Sequence, residues 1–212
     1  MSLFSFFKKK PKIDSRIHGP ITFTNIEGNK ALRAGGVTHS GGEIWPMWNT
    51  VIKKIRNSKF EIRNALILGV GGGDVLKLID EFYPDVTITG VEIDPVMIEV
   101  AEKYFDMRIK SNVSIEIGDA IDWLPKHQEE QYDLVVCDLY VGPFNPSESR
   151  TESFMKNLAN ILTSNGIVLY NAHYQETNTL EFEVFMRTLK KIFHSIEVVF
   201  SYPLNRVLLL KK

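Results

Sequence analysis

Leu66-Ile67-Leu68-Gly69-Val70-Gly71-Gly72-Gly73-Asp74 is an apolar run that leads into a glycine-rich turn and then into a helical pattern. The missing Cβ atoms of the glycines let the backbone approach a ligand, and the free N–H groups of a helix start attract electronegative atoms. A dinucleotide-binding fingerprint counted from Gly69 would need a glycine at 74, where Asp74 stands. The spacing of Gly69, Gly71 and Gly73 therefore favours another kind of nucleoside-binding turn, although a tight turn without a ligand stays an alternative.

Strands and helices alternate along the chain on both sides of this turn, from Asn64 onward. The apolar runs are short and continuous, which is typical of a parallel sheet covered by helices on both faces. The predicted strands are Ala65–Leu68, Val86–Val91, Val113–Ile117, Tyr132–Cys137 and Ile167–Asn171. The predicted helices are Asp74–Phe82, Pro95–Phe105, Ala120–Lys126, Glu148–Leu162 and Asn178–Phe193.

The last two apolar runs, Ile196–Ser201 and Arg206–Leu210, are separated by only a few residues around Pro203 and Asn205. A connection that short cannot make a parallel crossover, so the two strands must be antiparallel. The sequence thus predicts an α/β fold with a doubly wound, mostly parallel seven-stranded sheet that ends in a C-terminal antiparallel hairpin. In this plan the chain resembles the class I AdoMet-dependent methyltransferases, which have a Rossmann-like fold and bind S-adenosylmethionine (AdoMet).

Two acidic residues at the ends of the next strands extend the predicted nucleoside site. Glu92 ends one strand, where a carboxylate can accept hydrogen bonds from both ribose hydroxyls. Asp119 follows the next strand and matches the position at which the resembling family binds the adenine amino group, although it could equally be a helix N-cap. Asp94 precedes a proline and is predicted to be the N-cap of the following helix. Ile93 and Ile121 could supply apolar faces for the adenine ring.

The residues ahead of the sheet predict a small N-terminal β-hairpin extension. An alternating stretch from Ile21, a turn rich in residues that accept positive φ and a second stretch ending at Ala34 form the hairpin. The glycine-rich segment 35–42 predicts a bend, and the apolar spacing over 44–56 predicts a helix. We therefore divide the chain into a tail with the hairpin, residues 1–42, and an AdoMet-type transferase domain, residues 43–212.

Three short segments resemble spermidine synthase and its aminopropyltransferase relatives more than a generic methyltransferase. They read V-E-I-D at 91–94, G-D-A at 118–120 and D-L-Y-V-G-P at 138–143, and G-G-V-T-H-S at 35–40 is similar to the remains of that family's strand-rich N-terminal domain. The resemblance implies AdoMet or decarboxylated AdoMet as cofactor, and a homodimer as one assembly. The expected cofactor contacts are Gly69, Gly71, Gly72, Gly73, Glu92, Ile93, Asp119, Ala120, Asp138 and His39.

Asp138 and Tyr140 are the candidate catalytic residues. Methyl and aminopropyl transfer are both displacements at a carbon next to a sulfonium, so the protein must align a nucleophile and remove its proton. Asp138 lies at a strand end beside the cofactor, and the resemblance implies that it handles the amine; an ordinary strand-end aspartate stays an alternative. Tyr140 could orient the substrate, or simply pack in its loop.

Departures from the aminopropyltransferase pattern favour methyl transfer. In that family an aspartate at the position of Gly72 holds the amino end of decarboxylated AdoMet and would repel the carboxylate of AdoMet. The loop after Asp138 has one aspartate before Gly142 rather than two, and the Tyr-x-Glu segment that binds polyamine falls on 44–46, without its carboxylate. We predict an AdoMet-binding transferase that methylates a small-molecule acceptor. A divergent aminopropyltransferase (polyamine synthase) and a non-catalytic nucleoside-binding or assembly protein stay as alternatives.

The amino-acid composition limits the kinds of partner, location and metal site that we expect. Hydrophobic residues make up 44% of the 212 residues, and the net charge is -1. Because this charge gives no general attraction to polyanions or lipids, we expect neither a nucleic acid nor a membrane partner. The only cysteine, Cys137, cannot form an internal disulfide, which fits a cytoplasmic location. The five histidines are scattered, so no metal site is predicted.

A few other residues lead to predictions about the N-terminal tail, the core and the acceptor site. The basic residues at 8–10 and 12 follow an apolar start, the reverse of a secretory signal, and predict a solvated tail. Trp48 shares the apolar stripe of its predicted helix and is assigned to the core, whereas Trp45 is off that stripe and could act as a lid. His173 and Tyr174 follow the fifth strand and are candidates for contacts to the acceptor.

Overall fold

The computed structural model describes residues 13–26, 29–177 and 179–212. Three parts of the sequence predictions lie outside these ranges. They are the basic tail around Lys8 to Lys12, the turn residues Glu27 and Gly28, and Asn178, with which a helix was predicted to begin.

The main sheet has seven strands in the order β10-β11-β9-β8-β5-β6-β7. All pairs among β5 to β9 are parallel, whereas β11 is antiparallel to both β9 and β10. The prediction of a mostly parallel seven-stranded sheet with a C-terminal antiparallel hairpin is therefore confirmed. The strands are β5 (Asn64–Leu68), β6 (Thr87–Glu92), β7 (Val113–Ile117), β8 (Tyr132–Cys137), β9 (Leu162–His173), β10 (Ser195–Tyr202) and β11 (Asn205–Lys211).

The described residues include six α-helices, which cover both faces of this sheet. They are α1 (Ile44–Asn57), α2 (Asp74–Phe82), α3 (Pro95–Tyr104), α4 (Ala120–Trp123), α5 (Glu152–Asn160) and α6 (Thr179–Lys190). The side chains of β5 show the double winding, because they alternate between two apolar cores. Ala65 and Ile67 pack with α1, α2 and α3 on one face, and Leu66 and Leu68 pack with α4, α5 and α6 on the other. None of the described helices is long and apolar enough to cross a membrane.

Two predicted element boundaries are wrong for local reasons. The helix predicted at 148–162 is a short 3-10 turn, Ser147–Arg150, followed by α5, because the hydroxyl of Thr151 accepts a hydrogen bond from the N–H of Phe154 and caps a new helix start. The strand predicted from Ile167 begins at Leu162, which pairs with Tyr132 across the sheet. Its polar residues interrupted the apolar pattern on which the prediction depended.

The N-terminal residues form a separate antiparallel sheet of four strands. These are β1 (Ile13–Ser15), β2 (Gly19–Ile26), β3 (Asn29–Ala34) and β4 (Val37–Gly41), so the predicted hairpin is confirmed. The prediction of a bend over 35–42 is wrong. Gly35 and Gly36 alone reverse the chain, with φ angles of 57° and 83°, and the residues after them pair with β3. Ile21 and Leu32 of this sheet pack against Met97 of α3, next to the main sheet.

Candidate functional site

A cavity of about 720 Å³ opens at the carboxyl ends of the parallel strands. Gly69 follows β5, Glu92 ends β6, Asp119 follows β7 and Asp138 follows β8, and all four residues line this cavity. In open α/β sheets this edge is the usual place for ligands, because the loops after neighbouring strands converge there. The N-terminal sheet and α1 close another side, and His39 of β4 also lines the cavity.

The glycine turn brings β5 directly against the end of β8. Gly69 has a φ of 88°, and a Cβ atom there would lie 2.5 Å from the carbonyl oxygen of Asp138. Its N–H donates to Val91, and the N–H of Asp138 donates to Leu68 at 2.8 Å. Gly71 also lines the cavity with a φ of 54°. Glycine is therefore required at 69, since any side chain would separate the turn from Asp138.

Gly72 and Gly73 are not among the residues that line the cavity, although the neighbouring Gly71 is, and their predicted contacts with a cofactor stay predictions. A Cβ atom at Gly72 would lie 2.3 Å from the Cβ of Ser40, and one at Gly73 would lie 2.6 Å from the sulfur of Met107. These two glycines pack the turn against β4 and against the segment after α3. The N–H of Gly41 donates to Asp74 at 2.6 Å and strengthens the same junction.

Glu92 is buried and holds the glycine turn in place. Its Oε2 accepts the N–H groups of Val70 at 3.0 Å and Gly71 at 2.9 Å, and its Oε1 accepts the N–H of Asp94 at 3.0 Å. Burial raises the pKa of Glu92, while these three N–H groups oppose the rise by stabilising the carboxylate. A carboxylate has about four acceptor sites, and these N–H groups occupy three of them. A ribose diol brings two hydroxyl donors, so one hydroxyl would have to share an acceptor site with a backbone N–H.

The acidic residues that follow β6 and β7 differ in their roles, because Asp94 caps a helix and Asp119 both caps a helix and lines the cavity. Asp94 is the N-cap of α3, as predicted, and accepts the N–H of Val96. Asp119 caps α4 through the N–H of Ile121 at 2.8 Å, yet it is exposed and lines the cavity. Ile93 lines the cavity with 40% of its surface exposed, and Ala120 lines it as well. The two interpretations of Asp119, as a helix N-cap and as a ligand contact, therefore remain compatible.

Asp138 carries its carboxylate between two neutral donors. The indole Nε1 of Trp48 donates to Oδ2 at 3.0 Å, and the amide Nδ2 of Asn171 donates to Oδ1 at 2.8 Å. Burial raises the pKa of Asp138 to about 6, and the bonds from Asn171 and Trp48 oppose that rise. The negative charges of Asp74 and Glu92 raise the pKa further. At neutral pH the group is therefore largely ionised and able to accept a proton.

Tyr140 lines the same cavity with its hydroxyl in a defined hydrogen-bond position. The hydroxyl oxygen accepts from Nδ2 of Asn205 at 2.7 Å, and the carbonyl oxygen of Asn171 is 3.4 Å away. Burial and then the charge of Asp138 raise the pKa of Tyr140 well above its ordinary value. The hydroxyl therefore stays protonated, which suits the orientation of a substrate and excludes proton abstraction by Tyr140 at neutral pH.

The loop after Tyr140 is fixed to β9 by one buried amide. Nδ2 of Asn145 donates to the carbonyl oxygens of Leu139 at 2.8 Å and Asn171 at 3.0 Å. Its Oδ1 accepts from the N–H of His173 and from the guanidinium of Arg150. Because each polar atom of Asn145 has partners, this loop is held rigidly beside the cavity.

Two histidines that line the cavity, His39 and His173, have lowered pKa values. Burial, with the neighbouring His18, lowers the pKa of His39 to about 4, and the two rings meet edge to face at 4.8 Å. His173 also lines the cavity, and burial lowers its pKa, whereas Tyr174 does not line the cavity and stacks with Arg206 at 3.8 Å. Among the described residues, no three His, Cys, Asp or Glu side chains are grouped as metal ligands.

Several residues of the site were missed or misplaced by the sequence analysis. Trp48 is fully buried as predicted, but its donation to Asp138 was not foreseen. The lid assignment of Trp45 is wrong, because the residue does not line the cavity and lies under the ammonium of Lys77 at 5.1 Å.

Residues that line the cavity without having been predicted include Asn171, Asn205, Glu43 and Glu148. Of these, only Asn171 had a signal in the sequence, as a polar residue at the end of an apolar strand.

Comparison with known proteins agrees with this arrangement. Residues 46–204 match the family described as Spermine/spermidine synthase domain. Since the match covers most of the 212 residues, the chain belongs to that family. The polyamine aminopropyltransferase of Vibrio vulnificus is 32% identical over 108 residues, which are 50% of this chain and 36% of that protein.

A second curated relative carries a different name. The eEF1A lysine and N-terminal methyltransferase homolog of Drosophila melanogaster is 27% identical over 142 residues, which are 63% of this chain and 21% of that protein. The matches thus span well under half of either relative. The solved structure of human methyltransferase-like protein 13 in complex with SAH has a TM-score of 0.69 at 22% identity, covering 78% of this chain and 80% of that one. This likeness confirms the methyltransferase fold.

Proposed function

We propose that this member of the spermine/spermidine synthase domain family transfers a methyl group from AdoMet to a small-molecule amine held beside Asp138. The observation that carries the proposal is the contact between Gly72 and Ser40, whose side chain fills the place of any side chain at 72. No carboxylate can stand there to repel the carboxylate of AdoMet. The methyltransferase relative from Drosophila and the SAH complex of the human structure support the same donor.

The residues present fit an adenosine moiety. The positive φ angles of Gly69 and Gly71 form an open cradle, and Glu92 provides a carboxylate beside it. The exposed side chain of Ile93 offers an apolar face for a base, and Asp119 keeps an oxygen for an amino group. These four kinds of contact meet in one cavity, which is the arrangement that nucleoside recognition requires.

The proposed chemistry assigns proton acceptance to Asp138. Bound AdoMet would supply a methyl carbon activated by its positive sulfur, and the carbon–sulfur bond would break as the amine nitrogen bonds to that carbon. The amine proton then moves to the carboxylate of Asp138, which is ionised at neutral pH. Tyr140 keeps its proton and orients the acceptor by donating a hydrogen bond. Holding both groups in fixed positions lowers the entropic part of the barrier.

The donor preference can be tested by restoring the missing aspartate. Gly72→Asp alone would collide with Ser40, so we use the double variant Ser40→Gly/Gly72→Asp, which removes the colliding atoms. We expect calorimetry to show AdoMet binding at least about tenfold more weakly than in the wild type, which is about 1.4 kcal/mol. The matched control Ser40→Gly/Gly72→Asn has the same shape without the charge and should lose little. Equal AdoMet affinity in the two variants would contradict the proposal.

One observation keeps aminopropyl transfer as a second candidate. Glu43 and Glu148 line the cavity together with Asp138, so carboxylates for a cationic amine are present although they were not expected from the sequence. The relative from Vibrio vulnificus bears the name of such an enzyme. In this case decarboxylated AdoMet would bind more tightly than AdoMet, and incubation with polyamines would yield aminopropylated products detectable by mass spectrometry.

A further inference from the structure

The C-terminal hairpin of β10 and β11 contributes Asn205, the first residue of β11, to the cavity. β11 pairs antiparallel with β9 so that Asn205 faces His173 and Val207 faces Asn171. Asn205 therefore lies at the cavity edge, two residue pairs beyond the pair that contains Asn171. It is partly buried and lines the cavity, although it follows a turn of exposed residues.

The amide of Asn205 is the outer member of a chain of hydrogen bonds that ends on Asp138. Its Nδ2 donates to the hydroxyl oxygen of Tyr140 at 2.7 Å and to Oδ1 of Asn171 at 3.0 Å. Nδ2 of Asn171 then donates to Oδ1 of Asp138 at 2.8 Å. Two elements distant in sequence, the loop after β8 and the start of β11, are joined through these two amides.

The direction of this chain matters, because the two ends of an amide have similar shapes and opposite hydrogen-bonding roles. Asn205 presents its amino group to Asn171, so Asn171 must turn its oxygen toward Asn205 and its amino group toward Asp138. If Asn171 turned the other way, its oxygen would face the carboxylate of Asp138. The hydroxyl of Tyr140 accepts from the same amino group, which leaves its proton free to donate.

We propose that Asn205 is a positioning residue for methyl transfer, which orients the amide of Asn171 toward Asp138 and the hydroxyl proton of Tyr140 toward the acceptor. This inference rests on the proposed function, since it assigns the aligned groups to that reaction. The hydroxyl of Tyr140 lies 3.4 Å from the carbonyl oxygen of Asn171, which is too long for a good hydrogen bond. The hydroxyl is therefore available to a ligand in the cavity.

Several charged and titratable groups surround Asp138 and Tyr140, and these groups must stay unchanged in any test. Asp74 of α2 and Glu92 of β6 act on Asp138 by their charge, and Trp48 of α1 donates to it. Tyr140 and the thiol of Cys137 are in turn influenced by Asp138. The charge of Arg150 reaches the hydroxyl of Tyr140 from the other side. Substitution of Asn205 changes none of these groups.

The test compares Asn205→Asp, which keeps the shape, loses the donors and adds a negative charge, with Asn205→Ala, which removes the donors without adding a charge. The carboxyl carbon of Asp138, labelled with carbon-13 and assigned with Asp138→Asn, is titrated by NMR in each protein. We expect the pKa of Asp138 to rise above the wild-type value of about 6 in both variants, because Asn171 is no longer held as a donor. With turnover, kcat should fall at least about tenfold while KM for the donor stays unchanged.

A control and the separate readouts distinguish the possible failures. Ser201→Ala lies in the same hairpin on an exposed side chain and should leave both the titration and kcat unchanged. An unchanged titration of Asp138 in both Asn205 variants would overturn the positioning role, whatever the turnover. A raised pKa in a protein whose wild type transfers no methyl group would instead retain the alignment and refute the proposed function. If Asn205→Asp does not fold, the titration of Asn205→Ala decides.

Discussion

Asp138 accepts hydrogen bonds on both carboxylate oxygens and is still buried enough for its pKa to be raised to about 6. Its two side-chain donors among the described residues, Trp48 and Asn171, are neutral, so they stabilise the carboxylate without cancelling its charge. This combination gives a base that is ionised at neutral pH and strong enough to accept a proton. A salt bridge to a lysine or arginine would have lowered the pKa and weakened the base.

The proposed methyl transfer should depend on pH through this pKa. Because the proposed role of Asp138 requires its ionised form, kcat should rise with pH through an apparent pKa near 6 and then become constant. Asp138→Asn should reduce kcat by about 100-fold or more and remove this acid limb, while calorimetry still detects AdoMet binding. A variant that kept the wild-type rate and pH profile would instead favour a non-catalytic nucleoside-binding protein.

Residues of the candidate site that lie at strand ends could be predicted from the sequence. Residues that reach the site only through tertiary contacts could not. Glu92 and Asp138 each follow an apolar run, and a parallel sheet brings all such ends to one edge. The contacts of Asn205 depend on the antiparallel register between β9 and β11, which the sequence does not specify residue by residue. The predicted roles of these residues in binding and catalysis stay predictions until they are measured.

Among the elements, β4 has the greatest influence on the site. It was predicted as a bend because four of the eight residues in segment 35–42 are glycines, whereas residues 37–41 between the turns form a strand. The strand that follows lies on the glycine turn, so that Ser40 contacts Gly72 and the N–H of Gly41 donates to Asp74. A packing partner of this kind leaves no periodic signal, since it acts between two loops far apart in sequence.

Gly72→Ala tests the contact between these two elements. The added Cβ would lie 2.3 Å from the Cβ of Ser40, so one of the two segments must move. We expect the free energy of unfolding to fall by about 1–3 kcal/mol, the usual cost of overpacking. The φ angle of Gly72 is not in the left-handed region, so the backbone conformation itself adds no penalty.

The matched double variant separates this clash from a general effect of alanine in the turn. Ser40→Gly/Gly72→Ala removes the colliding atoms and should recover most of the lost stability relative to Ser40→Gly alone. Urea unfolding of the four proteins gives the coupling between the two positions. A Gly72→Ala protein as stable as the wild type, or a double variant with no recovery, would contradict the described packing.

At the scale of the whole molecule, the alternation of apolar runs with helical segments was sufficient to predict the main sheet. The short connection before Asn205 fixed the antiparallel direction of its last strand, as the structure confirms. The number of strands in the N-terminal sheet and its position against α3 could not be predicted, because they depend on packing between the two sheets. The proposed division between residues 42 and 43 falls between β4 and α1 and stays a prediction.

The cavity is the proposed binding site of the donor, and its preference between AdoMet and decarboxylated AdoMet distinguishes the two candidate functions. Isothermal calorimetry of the wild-type protein with AdoMet and, separately, with decarboxylated AdoMet measures that preference without knowledge of the acceptor. We expect AdoMet to bind more tightly, because Ser40 fills the place of the aspartate that would repel its carboxylate. Tighter binding of decarboxylated AdoMet, or no binding of either compound at millimolar concentration, would contradict the assignment of this protein as an AdoMet-dependent methyltransferase.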